Sequence, residues 1–403
     1  MSKQHAQLLE QAKASFAGVV ALRRQLHRFP ELGNELPRTR AAVLDYLSDL
    51  DLELHLSNAT SGIVAVLRGE RPGATILLRG DMDALPIPEA TGLPFASAIA
   101  GRMHACGHDA HTAMLAGAAR VLNGRRAGLR GTVSFMFQPG EEGPGGAAPM
   151  LEEGLLEAGG KPAAAFGLHV APNKPSGVIY CKAGTIMASA DTMSVRLFGR
   201  GGHASMPYDA NDPVPVLCEM VQAFQTLVTR RFDPFDPAVV TVGLIRAGTV
   251  SNVIAETADM EVTVRSFSDG TRHKLVESLR RVCDGIAAAH DMRVEVSFYD
   301  RYPPTVNTPD FAEFVAHTAR ALVGEDGYEE LERPIPGAED FSFVLQRYGG
   351  AFAFLGTCPE DVQPQEAPQC HSNHMRIDEA AMATGVAMHA SVVLDFLEAA
   401  GPG

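Results

Sequence analysis

The spacing of hydrophobic residues in the first part of the chain predicts alternating helices and strands. Apolar side chains recur at helical spacing between Leu8 and Val20, and Pro30 ends this first helix. A second helical stripe runs from Met114 to Leu122. The short apolar runs that are typical of buried strands are 62–67, 74–78 and 132–137. This order of elements predicts an α/β sheet domain.

The pattern changes in the middle of the chain. Alternating residues predict strands at 194–198, 239–245, 260–264 and 294–298, and helical stripes lie at 217–228 and 275–286. This β-α-β-β-α-β order is typical of a ferredoxin-like domain. After Pro303 and Pro304 the α/β pattern resumes, with a strand at 351–355 and a last helix from Met382 to Phe396. We therefore predict a discontinuous main domain of residues 1–187 and 301–403, with a mostly parallel sheet, and an inserted domain of residues 188–300.

Length, charge and cysteine content narrow the class of protein. A chain of 403 residues exceeds what a single hydrophobic core usually serves. The net charge of −14, without a Lys/Arg-rich run, argues against nucleic acid or a membrane surface as partner. We see neither a signal peptide nor about eighteen consecutive apolar residues, so we expect a cytoplasmic protein. The six cysteines include no C-x-x-C pair, which argues against a thioredoxin-like site.

Polar side chains follow the predicted strands of the main domain. They are Asp81 and Asp83 after the strand at 74–78, Glu141 and Glu142 after the strand at 132–137, and His169 after the apolar run at 165–168. Ligands of open α/β sheets bind outside the carboxyl ends of the strands. We therefore expect carboxylates and imidazoles to collect at one edge of the sheet.

Two further segments carry potential metal ligands. Residues 104–111 contain one cysteine and three histidines, and residues 370–374 contain one cysteine and two histidines. Thiolate, imidazole and carboxylate together suit zinc, and there are enough of them for two ions. Glu141 and Glu142 are adjacent acids with separable roles. One can bind metal, while the other takes the proton of a metal-bound water and delivers it to a leaving nitrogen. These roles predict amide hydrolysis.

Seven motifs resemble the M20 metallopeptidase family. They are RRQLHRFPELGNE (23–35), RGDMDALP (79–86), MHACGHDAHTAML (103–115), QPGEEG (138–143), GLHV (167–170), GGHASMP (201–207) and GAEDF (337–341). Their combination resembles the amidohydrolase branch, which includes hippurate hydrolases, auxin-conjugate hydrolases and N-acyl-amino-acid deacylases. The resemblance implies an enzyme that hydrolyses the amide bond of N-acyl or aminoacyl amino acids.

The resemblance also implies a site. It assigns two divalent ions per chain, zinc first and manganese, cobalt or nickel as alternatives, with Cys106 bridging them. It makes Glu141 the general base, and it makes Asp83 a residue that orients a metal ligand without binding the metal itself. The implied metal ligands are Cys106, His108, Glu142, His169 and His371.

The inserted domain corresponds, by the same resemblance, to a ferredoxin-like lid through which such proteins form homodimers or higher oligomers. His203 and Asn252 resemble residues that hold the substrate carbonyl oxygen, and Arg265 stands where a substrate carboxylate is gripped. Closure of the lid would complete the oxyanion hole.

Several alternatives stay open from the sequence. His374 rivals His371, because Asn373 and Met375 depart from the pattern of the branch, and Tyr208 also departs from it near the pocket. A dipeptidase or aminopeptidase would need an acidic partner for the substrate amine, such as Asp81 or Glu339.

Two other classes remain, a non-catalytic binding protein and a thiol enzyme that uses Cys106 as nucleophile. His27 and Glu31 are interpreted as structural residues that close the first helix against the sheet. His104 and His111 are interpreted as outer-sphere or solvated residues.

Overall fold

The computed structural model describes residues 3–400, and of residues 300 and 301 the backbone alone. It divides into two compact units. Unit 1 comprises the chain up to Ile186, Val306–Arg333 and the chain from Phe343 onwards. Unit 2 comprises Met187–Thr305 and Pro334–Ser342. The last of these segments was assigned from the sequence to the main domain, because it has no periodicity that would mark it as separate.

Helices and strands are numbered along the chain. The helices are α1 (Lys3–Arg28), α2 (Pro37–Leu47), α3 (His108–Asn123), α4 (Ala147–Glu152), α5 (Pro213–Arg231), α6 (Asp269–Ala289), α7 (Pro309–Val323), α8 (Ser342–Tyr348) and α9 (Met382–Ala399). The strands are β1 (Glu53–Leu56), β2 (Ile63–Arg68), β3 (Arg71–Asp81), β4 (Arg130–Gln138), β5 (Ala164–Ala171), β6 (Ile179–Cys181), β7 (Gly184–Met187), β8 (Ala190–Phe198), β9 (Gly202–His203), β10 (Ala238–Ala247), β11 (Val253–Ile254), β12 (Thr257–Ser266), β13 (Arg293–Tyr302), β14 (Thr305–Asn307), β15 (Tyr328–Glu330) and β16 (Gly350–Gly356).

Unit 1 is built on a large mixed sheet with the strand order β1-β2-β4-β3-β5-β16-β6-β15. The central strands β4, β3, β5 and β16 run parallel, whereas β1 with β2, β2 with β4, and β16 with β6 pair antiparallel. The predicted α/β class is confirmed, but the sheet, predicted to be mostly parallel, is mixed, because antiparallel pairs occur towards its edges. Nearly every residue of β4 and β16 is buried, which explains why their sequences are mostly apolar.

Helices α1, α3 and α9 pack on one another, and α3 and α9 also contact β3. The apolar stretch Glu379–Ala399 is long and apolar enough to span a membrane, but 72% of its most apolar window is buried inside the fold. The last helix predicted from the sequence, Met382 to Phe396, lies within this stretch. This burial is typical of a helix in the core of a protein, where neighbouring elements cover most of the helix surface and apolar residues therefore occur on most sides.

Unit 2 contains an antiparallel sheet with the order β10-β12-β8-β13. Helices α5 and α6 pack against this sheet through a separate hydrophobic core. Each helix begins at a capping side chain: Asp212 accepts a hydrogen bond from the backbone N–H of Val214, and Ser268 accepts one from Thr271. The main elements follow one another as β8-α5-β10-β12-α6-β13, which is the order that the sequence pattern indicates.

A buried ionic network ties α1 to the start of α3. The His27 imidazole lies 2.8 Å from a carboxylate oxygen of Asp109 through Nδ1 and 3.1 Å from Glu89 through Nε2. Arg23 donates to the same Asp109 oxygen at 3.0 Å. Burial alone would lower the pKa of His27, but Asp109 and Glu89 outweigh it and raise that pKa to about 9. His27 is therefore structural, but it closes α1 against α3 rather than against the sheet.

Replacing His27 with glutamine should remove a pH-dependent part of the stability. Because the folded-state pKa is raised above the unfolded value, the contribution is complete below pH 6.5 and disappears as the pH rises through about 9. We expect the variant to lose about 3 kcal/mol of unfolding free energy at pH 6 and much less at pH 10. Urea denaturation at both pH values measures the difference, with the exposed His317→Gln as control. A loss that is the same at both pH values would show that His27 acts uncharged.

Candidate metal centre

The carboxyl ends of the central parallel strands carry the acidic residues. β3 ends at Asp81, and Asp83 follows; β4 ends at Gln138, and the glutamates follow in a turn. Asp83 accepts backbone N–H groups of both Glu141 and Glu142, each at 3.0 Å. One carboxylate therefore fixes the turn that carries both glutamates.

The second group of ligands is placed by the turn that starts α3. Gly107 precedes this helix with a φ of 83°, in the left-handed region. A Cβ at this position would lie 2.4 Å from Cγ2 of Val170 in β5. Only glycine therefore allows the turn between Cys106 and His108 to approach the sheet so closely.

Replacing Gly107 with alanine should destabilise the protein through both strain and this clash. We expect the free energy of unfolding to fall by more than ~2 kcal/mol, against about 1 kcal/mol for Gly101→Ala. Gly101 is a matched control, because its φ is 73° and a Cβ there would meet nothing within 4 Å. Equal losses in urea denaturation of the two variants would contradict the close approach to Val170.

The structure brings all five predicted metal ligands and Glu141 into one cluster in unit 1. Cys106, His108 and His169 have ligand atoms within 4.8 Å of one another, and so do Cys106, Glu142 and His371. A third such group is His108, Glu141 and Glu142. The Cys106 sulfur lies 3.5 Å from Nε2 of His169, and Nε2 of His371 lies 3.1 Å from a Glu142 oxygen. Cys106 thus belongs to two groups of ligands.

The cluster fits divalent metal by its unsatisfied buried atoms as well as by its donor types. Both nitrogens of His108 are buried and make no hydrogen bond of good geometry, and the carboxylate oxygens of Asp81 and Asp83 lie 3.3 and 3.4 Å from them. Buried polar atoms in native proteins normally have partners, so a buried imidazole without a well-formed hydrogen bond among carboxylates calls for a ligand. Thiol, imidazole and carboxylate together are the donors that zinc prefers.

Negative charge dominates the cluster. Burial lowers the pKa of His108, but Asp81, Asp83 and Glu142 outweigh it and raise that pKa to about 10. The pKa of His169 is instead held well below its usual range, first by burial and then by the charge of neighbouring histidines. His169 donates from Nδ1 to the backbone carbonyl of Val170 at 2.7 Å, which leaves Nε2 with the lone pair that a metal ligand needs.

His371 and His374, the two candidate metal ligands of the last loop, differ in their positions. His371 adopts a φ of 72°, which is strained for a residue with a side chain, and its backbone N–H donates to the carbonyl of Ala105 at 2.8 Å. The His374 side chain is exposed and, among residues 3–400, belongs to no group of potential ligands.

His104 and His111, two buried residues near the metal centre, received no definite role from the sequence. His111 lies 2.6 Å from Asp81 through Nδ1 and accepts the backbone N–H of Val170, next to His169, at 2.8 Å. Asp81 also lies 2.8 Å from Arg79. His104 and His111 are both buried, so the interpretation of them as solvated is wrong. His111 follows His108 by three residues, on the same face of a helix, and this spacing was the available signal.

The thiol-enzyme alternative fits this environment poorly. A hydrogen bond with Cys370, and then burial, raise the pKa of the Cys106 thiol well above its usual range. A cysteine that serves as a catalytic nucleophile instead needs a lowered pKa.

Unit 2 places His203 and Asn252 together. The short strands β9 and β11 pair His203 with Val253, and the carbonyl of Asn252 accepts the N–H of Ala204 at 3.1 Å. His203 and Asn252 line an open groove with a volume of about 810 Å³. Arg265 lies on β12 opposite Val239, and it is not among the residues of the described chain that line this groove.

Comparison with known proteins agrees with the resemblance of the motifs. The model of peptidase family M20/M25/M40 matches residues 77–395. N-acetylcysteine deacetylase of Bacillus subtilis (strain 168) is 36% identical over 388 residues, which cover 96% of this chain and 98% of the relative. Hippurate hydrolase of Campylobacter jejuni is 34% identical over 377 residues, 94% of this chain and 96% of that enzyme.

A solved structure extends the similarity to three dimensions. The crystal structure of a dinuclear metal-binding peptidase of the M20 family from Bacillus subtilis superimposes with a TM-score of 0.82. It is 34% identical in sequence, and the match covers 96% of this chain and 99% of that one. The chain therefore belongs to peptidase family M20/M25/M40 and is a hydrolase of amide or peptide bonds.

Proposed function

We propose that this protein is a metal-dependent amidohydrolase that cleaves the amide bond of small N-acyl amino acids, with Glu141 as the general base. The observation that carries the proposal is the pair of ligand groups that share Cys106, beside Glu141. Cys106, His108 and His169 would hold one divalent ion, and Cys106, Glu142 and His371 the other. When bound, the ions polarise the scissile carbonyl and lower the pKa of the attacking water. Zinc is the first candidate, with manganese, cobalt or nickel as alternatives.

Glu141 supplies the proton transfers. Its side chain is buried, and the Asp83 carboxylate accepts its backbone N–H, which fixes the turn that carries Glu141. It takes a proton from water as the water attacks the carbonyl carbon, and it delivers that proton to the leaving nitrogen. Glu142, the next residue, is directed to His371 and serves as ligand.

The proposed substrate class rests on the family resemblance of Arg265 and on the surroundings of Asp81. Arg265 would pair with the carboxylate of the amino-acid half of the substrate. A dipeptidase or aminopeptidase needs a carboxylate for a free amine, but Asp81 is already engaged by Arg79 and His111. This engagement removes Asp81 as the partner of a free amine and leaves Glu339 as the candidate of the peptidase alternative. We further propose that unit 2 mediates homodimerisation as a lid and that the protein is cytoplasmic.

A panel of substrates tests this proposal. Purified protein is assayed against N-acetyl and N-benzoyl amino acids, the same amino acids as methyl esters, and unblocked dipeptides. We expect hydrolysis of the N-acyl amino acids, loss of most of that activity with the esters, and little cleavage of dipeptides. Preference for dipeptides would support the peptidase alternative, and the absence of any hydrolysis would support the binding-protein alternative.

His203 is proposed as the donor to the developing oxyanion. Its Nδ1 accepts the backbone N–H of Ser205 at 3.1 Å, so a neutral ring carries its proton on Nε2. That N–H can donate to a carbonyl oxygen as charge develops there. Asn252, beside it, would add a second donor.

Replacing His203 with alanine should therefore depress turnover without changing metal content. We expect kcat to fall ~10²-fold or more, the usual effect of removing one oxyanion donor. Steady-state kinetics and elemental analysis are made on this variant and on His273→Ala, an exposed histidine of α6 that serves as control. An unchanged kcat in His203→Ala would show that His203 is not a donor to the oxyanion.

A further inference from the structure

Cys106 and Cys370 are neighbours in unit 1, although 264 residues separate them in the sequence. Sγ of Cys370 lies 3.9 Å from the carbonyl oxygen of Cys106, and the two thiols interact strongly enough to shift each other's pKa. Neither the family resemblance nor the ligand groups gives Cys370 a role. It nevertheless lies against the thiol that both ligand groups share.

The backbone holds these two thiols side by side. The residue after Cys370 donates its N–H to the carbonyl of the residue before Cys106, at 2.8 Å. This hydrogen bond brings the two segments to the separation of neighbouring strands, which is close to the Cα distance of about 5.5–6 Å that disulfides prefer. Bond formation therefore needs no large movement of the backbone.

The two thiols also differ in access. Cys106 is buried, with 8% of its surface exposed, whereas Cys370 is partly exposed. A small oxidant reaches Cys370 first, and Cys106 is then in place to resolve the product.

We propose that Cys106 and Cys370 form a disulfide-bonding pair that a peroxide oxidises. The Cys370 sulfur attacks one peroxide oxygen, the O–O bond breaks, and water leaves with the thiol proton, which gives a sulfenic acid. The Cys106 sulfur then attacks the sulfenic sulfur, the S–O bond breaks, and the hydroxyl leaves as water with the Cys106 proton. Two thiols and one peroxide thus yield one disulfide and two waters.

The bond would inactivate the metal centre, and this consequence rests on the proposed function. Cys106 is the donor common to both ligand groups, so its oxidation removes one donor from each. A thiol reductant restores both donors, because disulfide formation is reversible. Bound metal would protect the pair, since it engages the Cys106 sulfur.

Peptide mapping tests the bond itself. The full chain, after dialysis against EDTA, is treated with hydrogen peroxide, alkylated, digested with trypsin and analysed by mass spectrometry without reduction. Trypsin releases Cys106 in peptide 103–120 and Cys370 in peptide 348–376, which also contains Cys358. We expect these two peptides to be linked in most chains, in the unaltered protein and in Cys358→Ser, and unlinked in Cys370→Ser. Linkage that disappears in Cys358→Ser, or no linkage in any protein, would overturn the proposal.

A metal-uptake measurement separates this proposal from the proposed function. Oxidised and re-reduced protein are each titrated with Zn²⁺ against a chromophoric chelator, and fluorimetric unfolding confirms that both are folded. We expect the oxidised protein to lose most of its zinc uptake and the re-reduced protein to regain it. If the peptides are linked but zinc uptake is unchanged, the disulfide is supported and the metal site at Cys106 is contradicted. If zinc is taken up but the peptides are never linked, the metal site is supported and the disulfide is contradicted.

Discussion

Replacing Glu141 with glutamine should lower kcat by ~10²- to 10⁴-fold while metal content stays unchanged. Glutamine keeps the shape of the side chain, and the hydrogen bond from the backbone N–H of residue 141 to Asp83 does not depend on it. The amide cannot accept the proton of the attacking water or deliver it to the leaving nitrogen. Steady-state kinetics with the best N-acyl amino acid and elemental analysis of the same sample measure the two quantities.

Two neighbouring glutamates provide the controls for this prediction. Glu142→Gln should lose metal together with activity, because Glu142 belongs to a ligand group with Cys106 and His371. Glu152→Gln, in the exposed part of α4, should change neither. A Glu141→Gln protein that turns over normally would show that another group moves the proton, and one that loses its metal would show that Glu141 is a ligand.

Replacing His371 with alanine should weaken binding of one metal ion more than ~100-fold, beyond the effect expected of residues that only orient a ligand. The imidazole lies 3.1 Å from the Glu142 carboxylate, and the strained backbone at residue 371 holds it there. Competition with a chelator of known affinity measures the loss. Activity should fall with metal content and recover only in part when excess metal is added.

His374→Ala is the matched control, three residues along the same loop. Its exposed side chain should be dispensable for metal binding and for kcat. If His374→Ala lost metal and His371→Ala did not, the two roles would be reversed. The loop would then have to rearrange when metal binds.

The strands that carry the site could be predicted because their sequences are unambiguous. β4 and β16 are buried on both faces, so their sequences are mostly apolar, and Glu141 and Glu142 follow β4. The rule that ligands bind at the carboxyl ends of strands then places Asp83 and Glu141 at one edge. The five implied metal ligands needed the family resemblance, because only folding brings residues 106 and 371 together.

Other features could not be predicted because their causes are not local. β6 and β15 are three residues long each, too short to show periodicity, and they exist because the sheet edge offers them partners. Burial of His104 and the contact of Cys370 with Cys106 depend on segments far apart in sequence. The roles of Arg265 and Asn252 remain predictions from the resemblance alone.

Metal content per chain, measured together with hydrolysis of an N-acyl amino acid before and after chelation, tests the central claim most directly. The two ligand groups that share Cys106 predict close to two divalent ions per chain, with activity lost on chelation and restored by adding metal back. Protein that is purified without metal, binds none on titration and hydrolyses the substrate equally well in the presence of a chelator would contradict the account.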